Sequence, residues 1–212
     1  MYIPAAFKEE RPERMVELMR AHPLATLVTM GSEGLVASHL PMLYEAAQDG
    51  AGVLHGHLAK GNPQWKDLRE GVEALAIFHG PEVYISPSWY VTKQETGRVV
   101  PTWNYATVHV YGTLEVYTDA ERLRGHLAAL TASQEGRYEK PWAVDDAPAE
   151  YVDGMQRAVV GVTLRIRRME GKWKMSQNRP VADREAVVAA LTAQGDEASL
   201  AVAELVKELG GL

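Results

Sequence analysis

The sequence predicts an α+β protein with an antiparallel β-barrel core and peripheral helices. About eight short segments have strand-like composition, turns rich in glycine join several of them, and helical periodicity is confined to a few stretches. The clearest pair is residues 24–30 and 35–45, which flank a Gly-Ser-Glu-Gly turn. This many short strands in a chain of 212 residues favour a closed sheet.

Composition indicates a globular protein without thiol chemistry. Hydrophobic residues make up 46% of the chain and charged residues 24%, and the lack of cysteine excludes disulfides and cysteine-based zinc sites. The apolar N-terminal stretch precedes the first charged run, the reverse of a signal peptide, and no segment has the apolar length of a membrane span. We therefore predict a soluble, cytoplasmic protein with no membrane partner. The net charge of −6 disfavours nucleic acid without excluding a locally basic face.

The remaining elements follow from the same patterns. Further strands are predicted at residues 53–58, 72–79, 82–86 and 103–117, and a final hairpin at 159–169 and 172–176. Helices are predicted at 12–20, after 62, at about 120–135, near 151–156 and from 183 onward, with turns or loops at 48–52, 91–100 and 136–149. We expect one barrel domain at 1–180 and a helical extension at 181–212, packed on the barrel or on a dimer partner.

The first candidate binding motif spans residues 55–63. A strand ends, Lys60 follows, and Asn62 caps a short helix that has Pro63 in its first position. Exposed backbone N–H groups at a helix start, together with a lysine, favour an anion and predict a phosphate site. An ordinary turn with a solvated lysine is the alternative.

Two histidines precede this turn on one strand face, because His55 and His57 lie two residues apart. Such a pair could bind a metal, but no third ligand stands at a metal-site spacing. We therefore predict hydrogen-bonding or stacking roles and no metal.

Residues 38–41 offer backbone groups for a flat ligand. Pro41 removes a ladder hydrogen bond, so its strand should be an edge strand or bulged there. Free backbone groups at such a break can meet the polar edge of a ring. A simple edge strand is the alternative.

Two later segments also combine polar and aromatic groups. Trp103 and Tyr105 flank Asn104, and aromatic faces stack on planar rings while an amide both donates and accepts hydrogen bonds. An aromatic cluster in the core or at an interface would give the same sequence pattern. Residues 172–179 form a dense polar group at a strand exit, which suits a ligand or a subunit contact, or an exposed charged face.

Signatures of several other functions are missing from the sequence. There is no GxGxxG motif, no phosphate-binding P-loop, no GxSxG nucleophile elbow and no helix-turn-helix pattern. The basic residues at 165–174 could form a nucleic-acid patch or a solvated hairpin paired with acidic neighbours.

Together and in this order, these segments resemble the PaiB-type FMN-binding negative transcriptional regulators. The resemblance spans residue 1 to about residue 190. It is carried by Met1-Tyr2-Ile3-Pro4-Ala5-Ala6-Phe7, Ser38-His39-Leu40-Pro41, residues 55–65, Val100-Pro101-Thr102-Trp103-Asn104-Tyr105 and Lys174-Met175-Ser176-Gln177-Asn178-Arg179. It implies a split β-barrel of the kind shared with pyridoxamine-phosphate oxidases and flavin reductases, and a homodimer with two FMN sites at its interface.

The resemblance also implies which residues bind FMN. Lys60 and Asn62 should hold the phosphate, residues 38–41 should line the ring and ribityl chain, and residues 103–105 should approach from the same or the partner subunit. The complete predicted set is Ser38, His39, Leu40, Pro41, His55, His57, Lys60, Asn62, Trp103, Asn104, Tyr105, Ser176, Gln177 and Arg179.

Two functions remain in competition. In the first, FMN is a sensed ligand or redox reporter of a regulatory protein; DNA stays open as a partner, although the chain shows no recognisable DNA-reading element. The second is a flavin-dependent oxidoreductase that acts on a small molecule with NAD(P)H, because in such enzymes the cofactor carries the chemistry and the protein positions it. Haem handling is a third hypothesis, but no histidine stands in an axial-ligand context.

Overall fold

The computed structural model describes residues 1–47, 50–68 and 71–212. Gln48 and Asp49, in the predicted turn at 48–52, lie outside the described residues. Within this part of the chain there are eight strands: β1 Lys8–Glu9, β2 Leu24–Gly31, β3 Gly34–Pro41, β4 Leu43–Glu45, β5 Val53–Ala59, β6 Glu73–Ile85, β7 Thr102–Tyr117 and β8 Val159–Lys174. The α-helices are α1 Pro12–Ala21, α2 Val91–Thr96, α3 Ala120–Glu135, α4 Ala149–Arg157, α5 Val181–Gln194 and α6 Glu197–Gly210.

The strands form one antiparallel sheet in the order β3-β2-β6-β7-β8-β5-β4, with β1 added against β8. Strand β2 pairs with β3 so that Leu27 lies opposite Ser38, and β5 pairs with β8 so that Gly56 lies opposite Val162. The predicted α+β class is therefore confirmed. Strand β3 stands at one end of the order, which is the edge position that Pro41 predicted.

The chain divides into two compact units. The first comprises residues 1–21, 79–109 and 170–212, and the second comprises 22–78 and 110–169. Fully buried side chains of the first unit include Met19, Ile85, Val108, Met175 and Leu191; those of the second include Leu27, Leu54, Phe78, Val162 and Leu164. Helices α5 and α6 belong to the first unit, and the packing of 181–212 on the barrel or on a partner stays a prediction.

Two glycines that predicted turns lie inside continuous strands. Strand β6 runs through Gly80, where a Cβ would come within 3.2 Å of the Ala106 Cβ. Strand β8 runs through Gly171, which pairs with Glu9 of β1 and where a Cβ would lie 3.0 Å from the Glu9 Cβ. The predicted break at 80–81 and the predicted hairpin at 170–171 are therefore wrong, because both glycines serve close approaches of neighbouring chain segments.

Two further elements differ from the sequence-based expectation. The predicted strand 35–45 is divided at Met42, whose N–H donates to the carbonyl of Pro23 at 2.8 Å. The predicted loop 91–100 contains helix α2, in which the amide and hydroxyl of Thr92 donate to the buried Asp183 carboxylate at 2.9 and 2.8 Å. A partner 91 residues away stabilises a segment that has no apolar periodicity of its own.

The predicted helices are otherwise present. Helix α1 begins at Pro12, and helix α3 is capped by Asp119, whose carboxylate accepts from the Arg122 N–H at 2.8 Å. The predicted helix at 151–156 lies within α4, and the C-terminal segment forms α5 and α6. None of the helices described is long and apolar enough to cross a membrane.

Candidate functional site

The strand β3 residues and the turn after β5 meet through Asn62. Its amide Nδ2 donates to the Ser38 hydroxyl at 2.8 Å, and its Oδ1 accepts from the Gln64 N–H at 3.0 Å. His39 is exposed, with its Nδ1 3.0 Å from the Thr26 hydroxyl, and Leu40 is buried. The structure thus brings together Ser38 and Asn62, two of the residues predicted to bind FMN.

The turn at Lys60 differs from the predicted anion cradle in one respect. The helix there is a single 3-10 turn, Pro63–Lys66, and the expectation of free backbone donors is wrong for one N–H group inside it and for two that precede it. The N–H of Lys60 donates to the Ala158 carbonyl, that of Asn62 to the Ala59 carbonyl and that of Gln64 to the Asn62 side chain. These three N–H groups are therefore not available to an anion at this turn.

The Lys60 side chain opens into a cavity of about 380 Å³ in the second unit. Arg157 and Thr118 line the same cavity, and so does Asp153, which lies 3.8 Å from Arg124. Within the described residues, neither Lys60 nor Arg157 has a carboxylate within 4 Å. Two unpaired cations at one cavity provide the charge that a phosphate needs.

A buried glutamine that sequence reasoning missed holds this turn in place. Gln64 is 1% exposed, and its Nε2 donates to Thr29 Oγ1 at 2.9 Å and approaches the carbonyls of Leu27 and Val36 at 3.3 Å. These contacts fix the turn to β2 and β3. Asn62-Pro63 signalled the turn, but nothing in the pattern marked the next glutamine as buried.

In the first unit, the predicted residues on β7 and after β8 form a second group. Asn104 is fully buried and its Nδ2 donates to the Ser176 hydroxyl at 3.0 Å. Ser176 has a φ of 62°, a left-handed conformation that costs free energy for a residue other than glycine and that often marks functional sites. Trp103 is 52% exposed and packs edge-on against Tyr84, with ring centroids 6.0 Å apart.

Three cations surround this group. Lys174 donates to the Trp103 carbonyl at 2.7 Å, Lys172 lies 5.2 Å from the centre of the Tyr105 ring, and the Arg179 guanidinium lies 4.6 Å from that of Tyr90. Burial, followed by the charges of Lys172 and Arg179, lowers the pKa of Lys174. Among the described residues, no carboxylate lies within 4 Å of these three cations.

Gln177 has a local structural contact instead of a free side chain. Its Oε1 accepts from the Met175 N–H at 2.7 Å, and its Nε2 donates to the Trp173 carbonyl at 2.6 Å. Both ends of the amide therefore hold the turn that positions Ser176. Whether Gln177 also contacts FMN stays a prediction.

The two histidines of β5 face helix α3. His57 Nδ1 lies 3.1 Å from His126 Nε2, and His55 Nε2 lies 3.0 Å from the Glu45 carboxylate. Burial lowers the pKa of His57, and burial followed by the two strand histidines lowers that of His126 to about 4. In the described part of the chain, no three His, Cys, Asp or Glu residues are arranged to hold a metal ion.

The basic residues of β8 are partly compensated. Arg165 lies 3.2 Å from Glu115, and the Arg168 guanidinium lies 3.6 Å from the centre of the Tyr111 ring. These contacts fit a solvated face better than a surface reserved for nucleic acid.

Comparison with known proteins gives a consistent result. Residues 1–168 match the family described as "Putative FMN-binding domain". A protein of Emericella nidulans is 34% identical over 99% of this chain and 98% of its own. The protease synthase and sporulation protein PAI 2 of Bacillus subtilis is 29% identical over 98% of this chain and 97% of its own.

Solved structures share the fold at low identity. A protein of Bacteroides thetaiotaomicron, described as a "putative 5-nitroimidazole antibiotic resistance protein", gives a TM-score of 0.56 at 14% identity, covering 78% of this chain and 85% of its own. The FAD and heme binding protein of Mycobacterium smegmatis gives 0.55 at 22% identity, covering 79% and 73%. These likenesses concern the fold alone, and they support the predicted antiparallel split β-barrel.

Proposed function

Because the chain belongs to the family of FMN-binding domains, we propose that it acts as an FMN-binding homodimer with a regulatory role. FMN is the cofactor that this family implies. The observation that carries the regulatory proposal is the likeness to PAI 2 over nearly the whole of both chains, since that protein is named for protease synthesis and sporulation.

The cavity at Lys60 fits the phosphate of FMN. Lys60 and Arg157 supply two unpaired positive charges, and Thr118 adds a hydroxyl donor. The hydrogen bond between Asn62 and Ser38 fixes the turn that carries Lys60. We assign the phosphate to these side chains, because the neighbouring backbone N–H groups already have partners.

Considered within the first unit alone, the group on β7 and after β8 has side chains that suit a flavin ring, bound by the same or by the partner subunit. Trp103 presents an exposed aromatic face, and Arg179 and Lys174 supply donors without carboxylate partners. When bound, FMN supplies one- and two-electron redox chemistry. The part played by this chain is to bind and orient the ring beside a buried Asn104–Ser176 pair.

Binding of flavin is tested by the visible spectrum of the purified protein with and without added FMN. We expect a stoichiometric complex with quenched flavin fluorescence, and sedimentation of the loaded protein at twice the mass of one chain. If the protein binds FMN but sediments as a monomer, FMN binding is supported and the homodimer is refuted.

The regulatory role is tested by selecting sequences from a random pool of double-stranded DNA with the FMN-loaded protein. Enrichment of one sequence motif supports a direct role at DNA, whereas salt-sensitive binding without sequence preference contradicts it. The oxidoreductase alternative is tested in the same preparation: anaerobic bleaching of bound FMN by NADH or NADPH, faster than bleaching of free FMN, would favour the enzyme.

A further inference from the structure

A second cavity, of about 400 Å³, lies against helix α3 in the second unit. Its wall includes Tyr44, His55, Tyr117, Arg122 and His126, contributed by strands β4, β5 and β7 and by helix α3. A volume of this size is in the range of small-molecule sites. None of its lining residues lines the cavity at Lys60.

Three buried polar atoms of this wall have no hydrogen-bond partner, and one of them, His55 Nε2, still lies 3.0 Å from the Glu45 carboxylate, so the other two have no polar neighbour of this kind. Tyr117 and His126 are each 8% exposed, and neither the Tyr117 hydroxyl nor His126 Nδ1 is hydrogen-bonded. The other ring nitrogen of His126 is held by His57 at 3.1 Å. Buried polar groups are nearly always paired in folded proteins, so these two atoms point to a ligand that completes them.

The charged groups at the cavity already have partners. Arg122 donates to Glu115 at 2.6 Å, and Glu45 lies 3.0 Å from His55 Nε2. Burial and two neighbouring histidines lower the pKa of His126 to about 4, so its ring is uncharged at neutral pH. A carboxylate or phosphate would find no unpaired cation here, and an uncharged ligand fits better.

Gly125 leaves this wall without a side chain. It lies in the interior of α3, where glycine is the poorest helix former after proline. A Cβ at this position would meet no atom within 4 Å, so packing does not require a glycine. The chain thus gives up helix stability at a position that lines the cavity.

We propose that this cavity is a binding site, separate from that of FMN, for a small uncharged ring compound with a hydroxyl group, of the phenol class. The ligand hydroxyl accepts from the Tyr117 O–H, and it can donate to or accept from His126 Nδ1, so it matches either tautomer of the imidazole. Aromatic contact comes from Tyr44, because the Tyr117 ring already packs against Gly161 and against the Arg122 guanidinium, which lies 3.8 Å from its centre. On this assignment His55 and His57 serve the cavity at α3 and not the flavin.

The test is a titration of the FMN-loaded protein with phenol, followed by NMR of isotope-labelled histidine rings. Toluene, which lacks the hydroxyl, and benzoate, which is charged, serve as comparison probes. We expect phenol to shift the His126 signals and to bind about three- to tenfold more tightly than toluene, the effect of one neutral hydrogen bond. Tyr117→Phe should remove this preference while leaving toluene binding unchanged.

A cavity-filling variant checks the location. Gly125→Met should abolish phenol binding and leave FMN binding and the circular-dichroism spectrum unchanged. Gly154→Met is the matched control, because Gly154 is also inside a helix but does not line the cavity. Equal affinity for phenol and toluene, no binding of any probe, or retained binding in Gly125→Met would overturn the proposal. Loss of the phenol signal when FMN is added to flavin-free protein would do the same, since it would assign the cavity to the flavin.

Discussion

Replacing Lys60 with alanine tests the assignment of the flavin phosphate most directly. A charge-assisted hydrogen bond to a phosphate contributes about 1.5–3 kcal/mol, which corresponds to about a tenfold to 150-fold loss of affinity. The backbone N–H groups of Lys60, Asn62 and Gln64 already have partners and cannot compensate. We therefore expect Lys60→Ala to lie in the upper part of that range, and Arg157→Ala to cause a comparable loss.

The assay compares FMN with riboflavin, which has the same ring and no phosphate. Quenching of flavin fluorescence gives both dissociation constants, and their ratio isolates the phosphate contribution. We expect Lys60→Ala to raise the dissociation constant of FMN relative to that of riboflavin, while riboflavin binding stays constant. Lys140→Ala is the control, because it removes one exposed lysine and changes the net charge equally. An equal loss for both flavins, or no loss for either, would refute the assignment.

The other predictions concern stability. Gly161→Ala should destabilise the fold by about 1–3 kcal/mol in urea unfolding, because a Cβ there would lie 2.1 Å from the ring of Tyr117. Ser176→Ala should be less stable than Ser176→Gly by about 1 kcal/mol, since both lose the bond to Asn104 but only glycine relieves the φ of 62°. Because the pKa of His126 is lowered to about 4, stability should fall by up to about 3 kcal/mol as the pH drops from about 6.5 to 4, and His126→Gln should flatten this dependence.

The sequence predicted best those elements that depend on local chemistry. Asp119 marked the start of α3 because its side chain caps the helix within three residues, and Pro12 marked α1 for a similar reason. A glycine in the sequence was ambiguous, since glycine is favoured both in a turn and where two chain segments approach each other closely. Gly171 was therefore predicted as a turn, although it lies opposite Glu9 in a continuous strand.

The site was predictable in its residue types and not in its contacts. Lys60 and Asn62 followed from a strand-to-helix pattern, but the partner of the Lys60 N–H is the Ala158 carbonyl, nearly a hundred residues away. Likewise, no local pattern indicates that His126 on a helix meets His57 on a strand. Nothing in the sequence indicated that Arg157 lines the cavity, because an exposed arginine at a helix end is common.

The charge of the cluster formed by Lys172, Lys174 and Arg179 limits how strongly this cluster can contribute to DNA binding. Contacts to duplex phosphates contribute a slope of about −0.9 each in log affinity against log salt, so Lys172, Lys174 and Arg179 together supply at most about −2.7. Affinity would then fall by only about 40-fold between 50 and 200 mM salt, and Lys174 already donates to the Trp103 carbonyl. A homodimer doubles the contacts and brings the slope near −5. A salt slope much steeper than about −3 from this cluster therefore requires the dimer, and such a slope measured on a monomeric variant would show that other cations contact the DNA.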